Sequence, residues 1–316
     1  MILLFLAGLA LVIFGADWLV DGSSGIARRA GLSEFVIGLT IVGMGTSAPE
    51  MVVSFIGAIQ GKGDIAVGNV VGSNIFNTLL ILGLTAIILP MEITSSNRRR
   101  DIPMNIVVTV LFIVLGLEFT FFGLGTDGLG RIDGIVLLVL FGLYVWFSFK
   151  NGKADDSAEE AKGDEKSIWI CLLLIVAGIS GLVIGGKLFV NNATAIAERL
   201  GVSNKFIAIT VLAGGTSLPE LATCVAAAAK KKGQLALGNI IGSNLFNILL
   251  ILGGSAVIAP ISFQSINLVD MGALLASAIA LATCLFIGKK NMLDRLDGSL
   301  FLLLWAAYMT YLTINL

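Results

Sequence analysis

The stretch GNVVGSNIFN at Gly68–Asn77 decides the fold, because it returns almost unchanged as GNIIGSNLFN at Gly238–Asn247. A second phrase precedes each copy, GTSAPE at Gly45–Glu50 and GTSLPE at Gly215–Glu220. Both phrases recur at the same offset of 170 residues, and roughly 33 of the about 76 aligned positions that enclose them are identical. The chain is therefore two versions of one unit.

The composition is that of an integral membrane protein. Of the 316 residues, 57% are hydrophobic and only 13% are charged, whereas soluble domains carry about 25% charged residues. A net charge of −1 offers no basic surface to a nucleic acid. The absence of histidine removes the usual proton shuttle and transition-metal ligand. The three cysteines lack metal-like spacing, so we expect free thiols without disulfides.

Ten apolar segments approach the length of about 20 residues that a bilayer-crossing helix needs. They are Ile2–Val20, Phe35–Ile59, Ile65–Leu89, Ile102–Phe122, Ile132–Phe149, Ile168–Val190, Phe206–Ala229, Leu235–Ala259, Leu268–Ile287 and Gly298–Ile314. The first is expected to be a retained helix, since no Lys or Arg precedes it as in a signal peptide. We therefore predict an all-α polytopic membrane protein, with a first transmembrane repeat at 1–149, a charged linker at 150–167 and a second repeat at 168–316.

Five helices in each repeat have a geometric consequence. With an odd number of spans, the second copy enters the membrane from the opposite side, so the repeats are predicted to be inverted. The Lys and Arg positions then favour a cytoplasmic linker and two outside termini in the cell membrane. On that orientation 15 of the 20 basic residues are cytoplasmic, namely Arg28, Arg29, Arg98, Arg99, Arg100, Lys150, Lys153, Lys162, Lys166, Lys230, Lys231, Lys232, Lys289, Lys290 and Arg295.

The GTSAPE phrase predicts a broken helix in the middle of the membrane. Pro49 has no N–H to donate and its ring pushes against the carbonyl of Gly45, so the turn should open. Freed carbonyls, the Ser47 hydroxyl and the Glu50 carboxylate form an all-oxygen set, which suits Na⁺ or Ca²⁺. The second half repeats the arrangement with Gly215, Thr216, Ser217, Pro219 and Glu220. A kinked helix with a protonated, hydrogen-bonded glutamate is the plain structural alternative.

The ten-residue phrase places polar side chains along one stripe of a helix. At spacings of four residues, Asn69, Ser73 and Asn77 share a face. The corresponding stripe in the second half holds Asn239, Ser243 and Asn247. We expect the serines and the last asparagine of each stripe to bind ions. Helix–helix packing is the alternative role, and we expect it for Asn74, for Asn244 and for the glycines of each G-x-x-x-G.

The two paired phrases resemble the alpha-repeats of the calcium/cation antiporter superfamily, most closely its prokaryotic sodium/calcium exchangers. The resemblance covers the whole chain and implies that Glu50 and Glu220 are central acids shared by Ca²⁺ and Na⁺. It implies backbone carbonyl ligands from Thr46 and Thr216. It further implies Na⁺ ligands and midpoint ligands at Ser47, Ser217, Ser73, Ser243, Asn77 and Asn247.

The resemblance also implies an antiporter rather than an enzyme, with Na⁺ and Ca²⁺ as cargo, no resident cofactor and access that alternates between the two sides. Asparagine at both 77 and 247 resembles the potassium-independent exchangers, since the potassium-dependent members carry Asp there. Nothing in the ligand set requires a second subunit, so the functional unit is expected to be a monomer in the lipid bilayer.

Two other functions stay open. In a cation/proton exchanger, Glu50 or Glu220 would carry the proton, because a desolvated carboxyl can do so without histidine. In a cation channel the glutamates would form a selectivity ring, although repeats with one central constellation favour a carrier. A membrane enzyme is disfavoured, because the sequence offers no nucleophile–base pair and no His, Cys or Asp metal cluster.

Overall fold

The structure of the protein, a computed structural model, describes residues 1–123, 127–152, 166–200, 214–263, 268–284 and 291–315. Helices dominate these ranges, as the composition predicts. In chain order they are α1 (Ile2–Ala30), α2 (Glu34–Thr46), α3 (Ala48–Ile59), α4 (Gly63–Ile88), α5 (Ile102–Gly116), α6 (Glu118–Phe122), α7 (Arg131–Asn151), α8 (Ile168–Arg199), α9 (Leu218–Ala229), α10 (Gly233–Ile258), α11 (Leu268–Thr283) and α12 (Arg295–Asn315). Four two-residue strands accompany them, β1 (Met91–Glu92), β2 (Gly128–Leu129), β3 (Ile261–Ser262) and β4 (Met292–Leu293).

Six described helices, α1, α4, α7, α8, α10 and α12, are long and apolar enough to cross a membrane, and the bent pair of α2 and α3 would make a seventh. The multi-pass membrane architecture is thus confirmed in its coarse form. One predicted span is divided at Leu117 into α5 and the short α6. The predicted spans Phe206–Ala229 and Leu268–Ile287, and most of the linker, extend beyond the described residues. The count of ten spans stays a prediction.

The chain divides into two compact units that do not follow the sequence repeats. The first comprises Met1–Thr46 and Val145–Gly242, and the second comprises Ser47–Tyr144 and Ser243–Leu316. Each unit therefore takes segments from both halves of the sequence. The divisions fall next to the predicted ligand positions, between Thr46 and Ser47 and between Gly242 and Ser243.

In the first unit, glycines let α1 and α8 lie almost backbone to backbone. A Cβ on Gly15 would stand 2.9 Å from the Gly178 carbonyl oxygen, and one on Gly8 would stand 2.9 Å from the Gly185 carbonyl oxygen. Gly8 contacts Gly185 and Gly15 contacts Gly178, so the two helices run antiparallel. Because 8 and 178, and likewise 15 and 185, are equivalent positions of the repeats, the two contacts are reciprocal.

The G-x-x-x-G motif of GNIIGSNLFN, Gly238 and Gly242, packs as expected within the first unit. A Cβ on Gly238 would collide with the carbonyl oxygen of Phe35, and one on Gly242 with that of Leu39. Only glycine permits this approach of α10 to α2. For Gly72 the equivalent neighbour would be Ile209, which lies outside the described residues.

In the second unit, α3 and α4 form a tight hairpin that reverses at Gly61, whose φ of 70° favours glycine. Two short antiparallel ladders join distant segments, β1 to β4 and β2 to β3. A second reciprocal pair of glycine contacts lies here. Gly83 packs on Gly298, and Gly253 packs on Gly134.

Several helices in this fold contain a widened, π-helical turn. These turns comprise Gly38–Val42, Phe76–Ile81, Asn97–Asp101 and Asn247–Leu252. The second and fourth contain the predicted ligands Asn77 and Asn247. Such turns in longer helices are frequently found at functional sites, and periodicity in the sequence did not predict them.

Candidate ion-binding site

The predicted helix break is present and lies at Ser47. Helices α2 and α3 meet there at an angle of 50°. Pro49 stands in the first turn of α3, where its missing N–H costs nothing. In the second half, Gly214–Ser217 form a turn before α9, and Pro219 occupies the same position in the first turn. The local chemistry of Gly and Pro therefore predicted the first break. In the second half it agrees with the turn and the helix start, while the residues before Gly214 lie outside those described.

Glu50 is fully buried just after the first break. The Ser73 hydroxyl, from α4, donates to Oε1 of this carboxylate at 3.5 Å. One turn away, Asn69 donates its side-chain amide to the Glu50 backbone carbonyl at 3.2 Å and to the Ser54 hydroxyl at 3.1 Å. The α3–α4 hairpin thus brings the two predicted motifs of the first repeat into contact. The hydrogen bonds of Asn69 stabilise the turn that carries Glu50.

Asn77 and Asn247 are fully buried and are held by asparagines of the opposite repeat. Asn77 Nδ2 donates to Asn244 Oδ1 at 3.3 Å, and Asn247 Nδ2 donates to Asn74 Oδ1 at 2.9 Å. The two bonds are equivalent under the repeat offset. All four residues belong to the second unit, which Glu50 and Ser73 share.

This arrangement leaves two oxygens available. Among the described residues, Oδ1 of Asn77 and Oδ1 of Asn247 are buried and accept no hydrogen bond. A buried carbonyl without a donor costs free energy of about 1–3 kcal/mol, and a cation would satisfy it. The Glu50 carboxylate and the buried hydroxyls of Ser73 and Ser243 belong to the same unit. Carboxylate, hydroxyl and amide oxygens are ligands of the kind that hard cations prefer.

The first unit holds the second acid. Glu220 is fully buried in the first turn of α9. Nearby on the same helix, Cys224 is buried and accepts the Asn239 side-chain amide at 3.3 Å. Asn239 Oδ1 in turn lies 3.1 Å from Thr46 Oγ1. Cys224 therefore corresponds to Ser54 of the first repeat and is a hydrogen-bond partner of the polar stripe.

The ten predicted ligands are distributed over the two units. The second unit holds Ser47, Glu50, Ser73, Asn77, Ser243 and Asn247, and the first holds Thr46, Thr216, Ser217 and Glu220. Nine of them are buried, and Thr216 is intermediate. Within the described ranges, no three His, Cys, Asp or Glu side chains cluster as a metal site.

Sequence reasoning assigned Asn74 and Asn244 to helix packing alone. They do bond between the repeats, since Asn74 Nδ2 donates to the Asn244 backbone carbonyl at 3.1 Å. Their side-chain oxygens, however, hold the predicted ligands. The sequence signal was present, because each stands three residues before a ligand asparagine, but its partner lies about 170 residues away and no local pattern reveals it.

A charged cluster marks one end of the first unit. Lys230, just after α9, contacts Asp17 at 2.6 Å and Asp21 at 2.7 Å on α1, and Lys166 contacts Asp21 at 3.4 Å. Partial burial lowers the pKa of Lys230, but the bonds to both aspartates outweigh burial and hold the pKa above its usual value. These ion pairs connect the residue that follows α9 to α1.

The chain is similar to known proteins over nearly its whole length. The family model described as sodium/calcium exchanger protein matches residues 1–150 and 170–314. The sodium/calcium exchanger MaX1 of Methanosarcina acetivorans is 33% identical over 98% of this chain and 97% of its own. A solved structure of the sodium-calcium exchanger NCX_Mj superposes with a TM-score of 0.84 at 35% identity, covering 98% of this chain and 97% of that one. A Ca²⁺/H⁺ antiporter of Aphanothece halophytica is 24% identical over 89% of this chain and 82% of its own.

Proposed function

Because the chain belongs to the sodium/calcium exchanger family, we propose that this membrane antiporter exchanges Na⁺ for Ca²⁺. The observation that carries the proposal is the buried oxygen set of the second unit. It combines a carboxylate, Glu50, with the two amide oxygens of Asn77 and Asn247 that accept no hydrogen bond from the described residues.

The ligands of the exchanged ions are the ten residues named from the sequence. Glu50 and Glu220 supply two negative charges, which one Ca²⁺ neutralises. Several Na⁺ ions held by the same oxygens compete with that Ca²⁺, so the two cargoes exclude one another. The equal burial of both acids, each one turn after a helix break, supports the assignment.

The architecture we propose for this function is ten transmembrane helices in two inverted repeats. Reciprocal contacts support it. The pair Gly8 and Gly185 repeats as Gly178 and Gly15, and the β1–β4 ladder repeats as β3–β2. Such exchanged pairs are what an internal two-fold axis produces. Five spans per repeat place that axis in the membrane plane, with both termini outside and the linker cytoplasmic.

Transport follows by alternating access in a single chain. The ligand helices keep the ions, while other helices change the side from which the site opens. The closely packed pair of α1 and α8 is the candidate for the part that moves. Exchange is independent of K⁺, because neutral amides rather than carboxylates stand at positions 77 and 247.

A flux experiment tests the proposal. Purified protein is reconstituted into vesicles loaded with Na⁺, and uptake of radiolabelled Ca²⁺ is followed after dilution into Na⁺-free medium. Uptake should need the outward Na⁺ gradient, stop when that gradient is collapsed and proceed equally with or without K⁺. Downhill Ca²⁺ flux that ignores the Na⁺ gradient contradicts the antiport mechanism.

A Ca²⁺/H⁺ exchanger is the second candidate, favoured by the similarity to the Aphanothece halophytica antiporter. In that case Glu50 or Glu220 releases a proton when Ca²⁺ binds. The same vesicles, loaded at acid pH without Na⁺, separate the two functions. Ca²⁺ uptake driven as well by the proton gradient as by the Na⁺ gradient favours the proton exchanger.

A further inference from the structure

An asparagine ligand can present either of two groups to a cation. Its Oδ1 attracts the ion, whereas its Nδ2, with two protons, repels it, and a half-turn of the terminal torsion exchanges them. Nothing within the side chain decides between the two orientations. A buried ligand asparagine therefore needs a neighbour that accepts a hydrogen bond from its amide.

The second unit supplies that neighbour twice, and each time from the opposite repeat. Asn244 Oδ1 accepts from Asn77, and Asn74 Oδ1 accepts from Asn247. In both pairs the amide of the ligand is occupied, and its Oδ1 is the atom left without a donor among the described residues. The same outcome in both copies indicates a common arrangement.

The orientation of Asn74 is set by a further contact, and Asn244 makes a further contact that agrees with its own orientation. Asn74 Nδ2 donates to the Asn244 backbone carbonyl at 3.1 Å, an atom that can only accept. Asn74 therefore has to turn its Oδ1 toward Asn247. Asn244 Nδ2 donates to the Thr78 hydroxyl at 2.8 Å. In the second repeat the position equivalent to Thr78 is Ile248. The amide of Asn244 therefore bonds a hydroxyl, whereas the amide of Asn74 bonds a backbone carbonyl.

From these contacts we infer that Asn74 and Asn244 are positioning residues, each of which turns the carbonyl oxygen of the ligand asparagine in the opposite repeat toward the transported cation. The inference rests on the proposed function, because it takes Asn77 and Asn247 as ligands. It adds that neither repeat orients its own amide ligand. Each half of the chain needs the other to complete that ligand.

The test is a set of double-mutant cycles on Ca²⁺ affinity, measured by calorimetric titration of purified protein and by the increase of Tm with added Ca²⁺. Asn244→Leu should weaken Ca²⁺ binding about tenfold, as expected for a misdirected hydrogen-bonded ligand. Combined with Asn77→Ala, it should cause little further loss, because it acts through Asn77. Combined with Asn247→Ala, the losses should multiply.

Asn74→Leu should give the mirrored result, coupled to Asn247→Ala and independent of Asn77→Ala. A residue that merely stabilises the fold would not distinguish the two partners, so the crosswise pattern is the diagnostic result. Losses that multiply in all four combinations overturn the inference, and so does unchanged affinity in both leucine variants.

If a leucine variant fails to fold, Thr78→Val tests the contact of Asn244 with Asn77. It removes the acceptor of the Asn244 amide and should weaken Ca²⁺ binding about threefold, coupled to Asn77→Ala alone, with recovery in Thr78→Ser. Thr85→Val is the matched control, since the buried Thr85 hydroxyl bonds only within its own helix, to the Ile81 carbonyl. Equal effects of Thr78→Val and Thr85→Val overturn the inference.

The single variants distinguish failure of the proposed ligand set from failure of the positioning role. If Asn77→Ala and Asn247→Ala both leave Ca²⁺ affinity unchanged, these amides are not ligands and the proposed ligand set is wrong. If they weaken binding while Asn74→Leu and Asn244→Leu do not, the ligand set stands and the positioning role is wrong.

Discussion

Asn247 donates its side-chain amide to Oδ1 of Asn74 at 2.9 Å, across 173 positions of sequence. The equivalent bond from Asn77 to Asn244 spans 167 positions. These two bonds join the repeats at the level of the predicted ligands. Each copy of the phrase GSN-x-F-N thus supplies one predicted ligand and one hydrogen-bond partner for the other copy.

Neutralising the central acid should abolish exchange. Glu50→Gln keeps the shape of the side chain but removes the charge that balances the cation, so Ca²⁺ uptake in vesicles should fall at least roughly 100-fold. The stabilisation of the protein by Ca²⁺, read as an increase in Tm, should disappear with it. Glu220→Gln should behave in the same way.

The control for these variants is Glu92→Gln. Glu92 is an exposed residue of the β1 strand, so its substitution should leave both uptake and Ca²⁺-dependent stabilisation unchanged. Wild-type uptake by a well-folded Glu50→Gln protein removes Glu50 from the site.

A carboxylate at the ligand amide should destabilise the ion-free protein. Asn77→Asp replaces the donor Nδ2 with a second oxygen, which then faces Asn244 Oδ1 at about the present 3.3 Å. Two acceptors in contact cost about 1–3 kcal/mol, so Tm without ions should fall. Ca²⁺ should restore more stability than it gives the wild type, because it balances the new charge.

Thermal unfolding with and without Ca²⁺ measures both effects. Asn151→Asp is a suitable control, because Asn151 ends a helix and is exposed. An ion-free Asn77→Asp protein as stable as the wild type would show that the Asn77–Asn244 bond does not form.

The contact of α1 with α8 should tolerate no side chain at the glycines that meet. A Cβ on Gly185 would stand 2.7 Å from Leu11 Cβ and 2.8 Å from the Gly8 carbonyl oxygen. The helices would have to separate, at a cost of about 1–3 kcal/mol. Gly185→Ala should therefore lower Tm by at least about 3 °C and slow exchange.

Gly186→Ala is the matched control one residue along the same helix. No described atom lies within 4 Å of its added Cβ, and alanine favours the helix. Its Tm should equal or exceed that of the wild type. Equal losses of Tm in the two variants would mean that the glycine contact does not depend on close approach.

The Lys230 ion pairs should contribute modestly and without pH dependence near neutrality. The pKa of Lys230 is raised by Asp17 and Asp21 against partial burial. Stabilisation by a lysine whose pKa is raised on folding is complete below its unfolded value, about 10.4, and is lost only as pH rises through the folded value. Lys230→Gln should thus lower Tm equally at pH 6 and pH 9.

Salt distinguishes this contribution from packing. The Tm difference should be about 1–3 °C in dilute buffer and should shrink in 1 M NaCl, because partly exposed pairs are screened. Lys231→Gln, at an exposed neighbouring lysine, should have no effect. A Lys230→Gln difference that grows between pH 6 and pH 9 contradicts the assigned pairing.

The sequence by itself determined the class of the protein, its duplication and the chemistry of its candidate ligands. Each of these follows from the types of residues and their spacing along the chain. Apolar runs of bilayer length exclude a soluble fold, and Gly45 with Pro49 opens a helix wherever that helix lies. Glu50, Ser73 and Asn77 are oxygen donors in any conformation. The sequence also placed the helix break at Ser47 and the close packing of Gly238 and Gly242.

Only the tertiary structure decided which atom of each predicted ligand asparagine is left without a hydrogen bond among the described residues. That choice depends on partners about 170 residues away, Asn244 for Asn77 and Asn74 for Asn247, and no periodicity encodes it. The π-helical turns at Phe76–Ile81 and Asn247–Leu252 and the β1–β4 ladder likewise arise from long-range packing. Local pattern sets what a residue can donate or accept, whereas the folded neighbours set the direction in which it does so.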